Sequence, residues 1–260
     1  MKIALIGFGE AGQMFGKGLA QKNDVHAYDI KITETMRKTA SESGVTLSGN
    51  QDRIISQADY IFSLVTADQA TLAANSAATF LTPHQIYFEM NSVAPDTKRS
   101  NAKLIPSLVD VAIMAPVHLH KMNVPLLLSH PNVARHVTQL TGLGFNAKIA
   151  GEDIGKAAAI KLCRSIMIKG MEALTVECLS TSNYYGVEKE VLASLHASFP
   201  EMGWDKDRAD YWFERVTTHG KRRAAEMREA AKMVAQTGVC SQMALETSKT
   251  QDLFTDTEHS

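Results

Sequence analysis

A glycine-rich segment near the N-terminus constrains the fold more than any other feature. It follows the apolar run Ile3–Ile6, precedes helical periodicity over Ala11–Gln21, and consists of Gly7, Phe8, Gly9, Glu10, Ala11 and Gly12. In G-x-G-x-x-G between a strand and a helix, Gly7 allows the tight turn, Gly9 lets a ligand approach the backbone, and Gly12 allows close helix–strand packing. Because the helix N-terminus presents N–H groups and partial positive charge, the segment predicts a pyrophosphate-binding loop.

The second apolar run, Val25–Tyr28, ends at an acidic residue, Asp29. A carboxylate about 20 residues beyond the first glycine of such a loop binds the ribose hydroxyls of a dinucleotide. It would repel the 2′-phosphate of NADP, so the sequence favours NAD, although Lys31 could compensate for a phosphate and leaves NADP open. The alternative is that Asp29 is only a turn residue after a strand.

Short apolar runs alternate with helical patterns through the first half of the chain. The predicted strands and helices after Asp29 are Thr33–Ser43, Tyr60–Val65, Gln69–Phe80, Ile86–Phe88, Val109–Met114 and Pro125–Leu128. Helical patterns also lie between and after the last three of these, which are strands. Such alternation is typical of an α/β fold with helices on both faces of a parallel sheet. We therefore expect a Rossmann-type, doubly wound dinucleotide-binding domain over residues 1–150.

Polar residues follow two of these predicted strands. Since ligands bind at the carboxyl ends of parallel strands, Val65 and Thr66 are expected at the nicotinamide ribose, and Asn91 and Ser92 near the ring. The alternative is that they are ordinary caps of the loops that follow.

The pattern changes near Gly151, beyond which no strand signal returns. A long helical tract over Glu152–Leu179 is followed by further helical patterns at Glu188–Ala197, Lys206–Thr217, Lys221–Thr237 and Gln242–Asp252. We expect an all-helical substrate and dimerisation domain over residues 151–260, entered through a long interdomain helix.

Composition excludes some classes of partner. The net charge is −1, so no general attraction to nucleic acid or to an anionic membrane is expected. The three cysteines form no C-x-x-C pair and are expected to be buried, reduced thiols. The N-terminal apolar run is too short for a signal or membrane segment, so a cytoplasmic location is expected.

Three further segments carry a resemblance to a known family. Glu89–Pro95 is similar to D-M-S-T-x-x-P, Asp110–Pro116 stands where D-A-P-V-S-G-G is usual, and Gly155–Lys161 is similar to G-x-G-x-x-x-K. With the glycine loop, they make the chain resemble the β-hydroxyacid dehydrogenases, the family of 3-hydroxyisobutyrate and 6-phosphogluconate dehydrogenases. The stretch His219–Met227 resembles a less characterised, phosphogluconate dehydrogenase-like branch. The resemblance implies that Lys161 is the acid/base catalyst.

The residues around Lys161 fit that role. Lys161, Arg164 and Ser165 share one helix face, and partial burial with a neighbouring arginine would favour the neutral lysine. A neutral amine could take the substrate hydroxyl proton. The alternative is a surface lysine whose stem covers apolar groups.

The sequence departs from the family at the substrate. Ser165 stands where asparagine is usual, and Met114 and Ala115, with Pro116, replace S-G-G. Glu226 falls at a late acidic position whose usual lysine partner is missing. The resemblance therefore indicates the reaction type better than the substrate.

Basic residues outside the motifs are candidate substrate contacts. They are His118 and His120 with Lys121, Arg164, and His219 with Arg222 and Arg223. The two histidines lack further ligands at metal-site spacing, so no metal is expected. The arginines could hold a carboxylate or phosphate, or could lie on a solvated helix face that pairs with Glu226.

Together these observations predict an NAD(P)-dependent enzyme that oxidises the hydroxyl of a small 3-hydroxy acid, with or without a phosphate group. Lys161 would act as general acid/base, Ser92 and Ser165 would orient the substrate, and the protein would be a homodimer through its helical domain. The alternatives are an oxidative decarboxylase of phosphogluconate type, an imine reductase and a non-catalytic dinucleotide sensor.

Overall fold

The computed structural model describes residues 1–204 and 207–255, without the side chains of His219 and Thr255. The chain divides into two compact units, Met1–Lys161 and a second that begins at Leu162. The division lies inside a long helix, whereas the sequence pattern changes at Gly151, just before that helix begins. In the described residues no helix has the length and hydropathy needed to cross a membrane.

The first unit is built on an eight-stranded sheet. Its strands are β1 Lys2–Ile6, β2 Asp24–Tyr28, β3 Thr46–Leu47, β4 Tyr60–Ser63, β5 Ile86–Glu89, β6 Leu108–Ile113, β7 Pro125–Ser129 and β8 Asn146–Gly151. Their order is β3-β2-β1-β4-β5-β6-β7-β8, with the first six strands parallel. The order 3-2-1-4-5-6 is that of doubly wound dinucleotide-binding sheets, so the predicted fold class is confirmed.

Helices cover both faces of this sheet. They are α1 Glu10–Leu19, α2 Glu34–Ser43, α3 Gln51–Gln57, α4 Ala70–Ala78, α5 Pro95–Leu104, α6 Val117–His120 and α7 Val133–Gly142. Alternate side chains of β1 enter opposite cores, Ile3 and Leu5 one, and Ala4 and Ile6 the other. Burial on both faces explains why the strands are continuous apolar runs instead of alternating ones.

The end of the sheet differs from the prediction. The strand β7 runs antiparallel to β6, and β8 is parallel to β7, so the sheet is only mainly parallel. A hydrophobic run carries no information on strand direction, which explains this error. The strands β3 and β8 and the helix α3 were not predicted, because their sequences are short or polar.

The described residues of the second unit form helices joined by short loops and contain no strand. The helix α8, Lys156–Tyr184, enters it from the first unit and is followed by α9 Glu188–Ser198, α10 Arg208–Gln236 and α11 Gln242–Thr255. The sequence predicted two helices where α10 is one, because Gly220 lies inside it; an isolated glycine weakens a helix without ending it.

The cysteines do not have the predicted environment. Cys163, Cys178 and Cys240 are free and exposed, so the expectation of buried core thiols is wrong. Cys163 and Cys178 lie on solvent-facing positions of α8, where the polar and apolar residues do not separate cleanly enough to reveal the buried side.

Candidate active site

The glycine loop joins β1 to α1 with little space around it. Gly7 has φ +97°, and a Cβ added there would lie 2.5 Å from the carbonyl oxygen of Leu64; a Cβ on Gly12 would overlap the carbonyl of Gly7. At Gly9, the N-cap of α1, an added Cβ would meet nothing within 4 Å. Only Gly9 therefore faces open space, and it does so where the N–H groups of the first helical turn lack intrahelical acceptors.

The carboxylate of Asp29 lies beside this loop. Its Oδ2 accepts a hydrogen bond from the Phe8 amide at 2.8 Å, and its Oδ1 accepts one from the Lys31 amide at 2.9 Å. Asp29 thus fixes the turn, and each oxygen keeps a second lone pair for a ligand hydroxyl. Asp29 stabilises the turn in this structure, and this role is compatible with binding a ribose.

Strand pairing brings the other predicted cofactor contacts to the same sheet edge. Ile6 pairs with Ser63, and Ser63 pairs with Glu89, so the residues after β1, β4 and β5 lie side by side. The amide of Asn91 bridges this edge, because its Oδ1 accepts from Val65 N at 2.7 Å and its Nδ2 donates to Ser63 Oγ at 2.9 Å. Asn91 is therefore engaged with the protein, while Thr66 is exposed.

The predicted catalytic lysine contacts the predicted orienting serine. Lys161 Nζ donates a hydrogen bond to Ser92 Oγ at 2.5 Å, although the two residues are far apart in sequence. Both are only partly buried, so a ligand can reach them. The structure thus places an amine and a hydroxyl together next to the carboxyl end of β5.

The start of α8, which carries Lys161, is attached to the sheet by a buried carboxylate. Asp110 Oδ2 accepts hydrogen bonds from Gly155 N at 3.0 Å, Ala158 N at 3.2 Å and Ser129 Oγ at 2.8 Å. Ser129 Oγ in turn accepts one from Ala157 N at 3.2 Å. These groups satisfy N–H donors that every helix leaves unpaired at its first turn.

A buried lysine, which sequence reasoning missed, joins this carboxylate to the end of β5. Lys98 Nζ lies 2.8 Å from Glu89 Oε2 and 3.2 Å from Asp110 Oδ1, and all three side chains are buried. Burial acts to lower the pKa of Lys98, but Glu89 and Asp110 outweigh it and raise the pKa. Burial raises the pKa of the Glu89 carboxyl, against the opposing effect of Lys98.

Of the residues after β6, Met114 lies at the edge of the sheet and His118 lies beside the glycine loop. Met114 N donates to Pro125 O at 2.9 Å, so this amide is used within the sheet edge. His118, on α6, has its Nδ1 3.0 Å from Glu10 Oε1 in the glycine loop. His118 therefore lies beside the loop, and the described residues contain no group of three or more metal-binding side chains.

The second unit contains a separate polar cluster between α8 and α10. Ser165 Oγ donates to Glu226 Oε1 at 2.5 Å, and Lys169 Nζ lies 2.7 Å from the same oxygen. Burial, only partly offset by Glu226, lowers the pKa of Lys169. The serine proton is thus directed at Glu226, and Ser165 Oγ also accepts from Lys169 Nζ at 3.3 Å, which leaves this buried hydroxyl one further lone pair.

The arginines of this unit differ in exposure. Arg223 is buried and pairs with Glu172, while Arg164 and Arg222 are exposed. Burial lowers the pKa of Arg223 to about 10. The alternative that Arg223 lies on a solvated helix face and pairs with Glu226 is therefore wrong in its main point, because Arg223 is buried and its ion pair is with Glu172. The side chain of His219 lies outside the described residues.

Comparisons with known proteins agree with this geometry. A family model described as the NAD binding domain of 6-phosphogluconate dehydrogenase matches residues 2–118. A second, described as a domain of unknown function (DUF1932), matches residues 183–253. The matched regions correspond to most of the sheet and to α9–α11.

Two solved structures are related in sequence. A conserved hypothetical protein from Sinorhizobium meliloti 1021 is 35% identical, covers 97% of this chain and 87% of its own, and has a TM-score of 0.77. A conserved protein of unknown function, described as structurally similar to 3-hydroxyacid dehydrogenases, is 27% identical. The match covers 98% of this chain and 97% of the other, with a TM-score of 0.73.

More distant structures share the fold alone. The 3-hydroxyisobutyrate dehydrogenase of Mycobacterium tuberculosis, solved with L-serine, is 14% identical over 97% of this chain and 93% of its own, with a TM-score of 0.78. A reductive aminase from Aspergillus terreus, in complex with NADPH4, is 15% identical over 97% and 92%, with a TM-score of 0.63.

Proposed function

Because the chain belongs to the β-hydroxyacid dehydrogenase family, we propose that it oxidises the hydroxyl of a small 3-hydroxy acid with NAD(P) as hydride acceptor. The observation that carries this proposal is the 2.5 Å contact between Lys161 Nζ and Ser92 Oγ. It joins a proton-transfer group to a hydrogen-bonding group at the sheet edge that also bears the glycine loop.

The residues of the loop fit a dinucleotide. Gly9 leaves open the space in which a phosphate would meet the N-terminus of α1, and Asp29 keeps lone pairs for ribose hydroxyls. When bound, the nicotinamide supplies the hydride acceptor. We propose NAD as the preferred form, because Asp29 would repel a 2′-phosphate, with NADP as the alternative that Lys31 permits.

The protein contributes proton transfer and positioning. The neutral amine of Lys161 takes the proton of the substrate hydroxyl during oxidation and returns it in the reverse reaction. Ser92, already hydrogen-bonded to Lys161, orients the same hydroxyl. Ser165, whose own proton is directed at Glu226, accepts a hydrogen bond from a substrate donor.

The substrate is proposed to be anionic and small. Arg164 and Arg222 are candidate contacts for its acidic group, since guanidinium groups favour carboxylate and phosphate, and His118 is a further candidate contact through its ring nitrogens. Met114 and Ala115 are proposed to shape its pocket, although neither adds a side-chain donor. The structural neighbour solved with L-serine, itself a 3-hydroxy acid, supports this class.

Imine reduction is the second candidate. The fold is shared with a reductive aminase, and an acceptor-only Ser165 would suit a substrate that carries an N–H group as well as one that carries a hydroxyl. A single panel separates the candidates: reduction of NAD and NADP with 3-hydroxy acids and their phosphorylated relatives, carbon dioxide release, and imine reduction with the reduced cofactors.

The same panel is run with Lys161→Ala and with a control, Lys156→Ala, which removes an exposed lysine from the same helix. We expect kcat on the best hydroxy acid to fall about 10²- to 10⁴-fold in Lys161→Ala and to change little in Lys156→Ala. Full turnover in Lys161→Ala would refute Lys161 as the acid/base. Cofactor binding without any turnover would favour the sensor, and imine reduction alone would favour the second candidate.

We also propose a cytoplasmic homodimer that forms through the helical unit. Large apolar side chains are exposed on the second unit, including Met167, Leu174 and Tyr184 on α8. Exposed apolar groups concentrated on one unit are typical of an interface. Sedimentation equilibrium tests the proposal, and a monomer at micromolar concentration would contradict it.

A further inference from the structure

A buried lysine that makes no contact with a proposed ligand connects both halves of the Lys161–Ser92 pair. Lys98 is 1% exposed and lies on α5, whose sequence is otherwise that of a solvated helix. Its ammonium bonds to Glu89 on one side and to Asp110 on the other. A buried ion cluster of this kind costs desolvation energy, so its presence calls for a reason.

One arm of the cluster leads to Ser92. Glu89 Oε1, on the same carboxylate that pairs with Lys98, accepts a hydrogen bond from Asn91 N at 3.0 Å. The Asn91 side chain then ties this turn to Val65 and Ser63 on the neighbouring strand. Since Ser92 is the next residue, these bonds fix the part of the turn that leads directly into it.

The other arm leads to Lys161. Asp110, which pairs with Lys98, accepts from the amides of Gly155 and Ala158 and from Ser129, whose hydroxyl accepts from Ala157. The backbone donors of this arm are Gly155, which directly precedes α8, and Ala157 and Ala158 in its first turn. Lys161 lies about 7.5 Å further along the helix axis than Lys156, the first residue of α8, so a tilt of the first turn would move its amine.

Electrostatic attraction between Asp110 and the N-terminus of α8 also holds the helix at this cluster. Asp110 shares the Lys98 ammonium with Glu89, and its Oδ2 faces the start of α8. The N-terminus of α8 carries about half a positive charge, and it lies against Asp110. The helix is therefore bound electrostatically as well as by hydrogen bonds, at the end nearest Lys161.

We propose that Lys98, through Asp110 and Ser129, is a positioning residue that sets the amine of Lys161 against the hydroxyl of Ser92. The proposal rests on the proposed role of Lys161 and adds to it the device that orients the pair. It assigns a function in catalysis to side chains that reach no substrate.

The test uses Ser129→Ala in the full chain, because removal of Lys98 itself would leave two buried carboxylates and could prevent folding. Ser129→Ala breaks two bonds of the helix arm and leaves the ion cluster in place. Ser129→Thr keeps the hydroxyl and serves as the rescue variant. Ser182→Ala is the matched control, since Ser182 is also buried but its hydroxyl donates to Leu179 O within its own helix.

We expect kcat of Ser129→Ala to fall about 10- to 100-fold, as displacements of about 1 Å at a reacting group do. The KM and Kd for NAD should stay at the wild-type values, and Ser129→Thr should recover most of the loss. A lowered melting temperature with unchanged kcat would overturn the proposal, because a purely structural role predicts that result. Equal losses in Ser182→Ala would overturn it as well.

A second readout separates this proposal from the proposed function. In the reductively ¹³C-methylated protein, the Lys161 resonance is assigned by its absence from Lys161→Arg. We expect Ser129→Ala to change its chemical shift and its titration, and Ser182→Ala to leave both unchanged. If the wild type turns over no substrate, the proposed function fails, and an unchanged Lys161 resonance in Ser129→Ala would overturn the positioning role separately.

Discussion

Replacement of Gly9 by alanine should separate folding from cofactor binding. The backbone at Gly9 has φ −72° and ψ −158°, which alanine adopts without strain, and an added Cβ meets no atom within 4 Å. Alanine is a poorer N-cap than glycine by about 1 kcal/mol, and the stiffer unfolded chain returns about 0.4–1 kcal/mol. The free energy of unfolding should therefore change by less than about 1 kcal/mol.

Binding should respond much more strongly. The open space at Gly9 is where a phosphate would approach the first turn of α1, so a Cβ there removes at least one charge-assisted hydrogen bond. Such a bond contributes about 1.5–3 kcal/mol, which corresponds to a Kd for NAD raised roughly 10- to 100-fold. Gly12→Ala provides the contrast, because its Cβ would overlap the Gly7 carbonyl and cost about 1–3 kcal/mol of stability as well.

Urea unfolding and isothermal titration with NAD measure the two quantities on the same samples. Wild-type affinity in Gly9→Ala would refute the reasoning, since it would mean that no phosphate approaches this backbone. Unfolding of Gly9→Ala at a much lower urea concentration than the wild type would refute the stability argument, which assumes that the space beside Gly9 is open.

Three further predictions concern other charges. Asp29→Ser should raise the NADP-to-NAD ratio of kcat/KM at least about tenfold, because the repulsion of a 2′-phosphate is removed, and steady-state rates with both cofactors test this. Burial and then the neighbouring His136 lower the pKa of His130 to about 4. Since the unfolded histidine titrates near 6.5, stability should fall by about 1–2 kcal/mol, allowing for solvent screening, as the pH drops from 6.5 to 4, and urea unfolding of His130→Asn should lack that loss. Glu226→Gln should lower the melting temperature by several degrees, because it leaves the buried Lys169 without its counter-charge, and calorimetry at pH 7 measures the change.

The parts of the site that follow from local sequence could be predicted. The glycine loop and Asp29 stand at fixed spacings within one strand–helix–strand unit, and that spacing is set by the geometry of the unit itself. Lys161 was singled out by a resemblance, and its contact with Ser92 supports that choice. The residues after β4 and β5 were expected at one edge of the sheet, and they lie there because the two strands are parallel neighbours.

The parts of the fold and site that depend on tertiary contacts could not be predicted from the sequence. Lys98 lies in a polar helix segment in which Lys103 and Arg99 look equivalent to it, and only the folded chain shows that Lys98 alone is buried. The direction of β7 depends on how the chain returns across the sheet, which hydrophobicity does not record. The partner of Ser165 was missed because Glu226 lies two helices away.

Binding of a dinucleotide at the start of α1 would make the stability of the folded protein depend on the dinucleotide concentration in the cell. Within the described chain no side chain caps this helix at Gly9, and the phosphate of a bound dinucleotide would accept hydrogen bonds from N–H groups of its first turn. A ligand that binds only the folded protein stabilises it by about 2.7 kcal/mol at one hundred times its Kd. The dinucleotide would then act as a missing N-cap, and protein that is starved of it should be degraded faster by proteases, even while its sequence and sheet are intact.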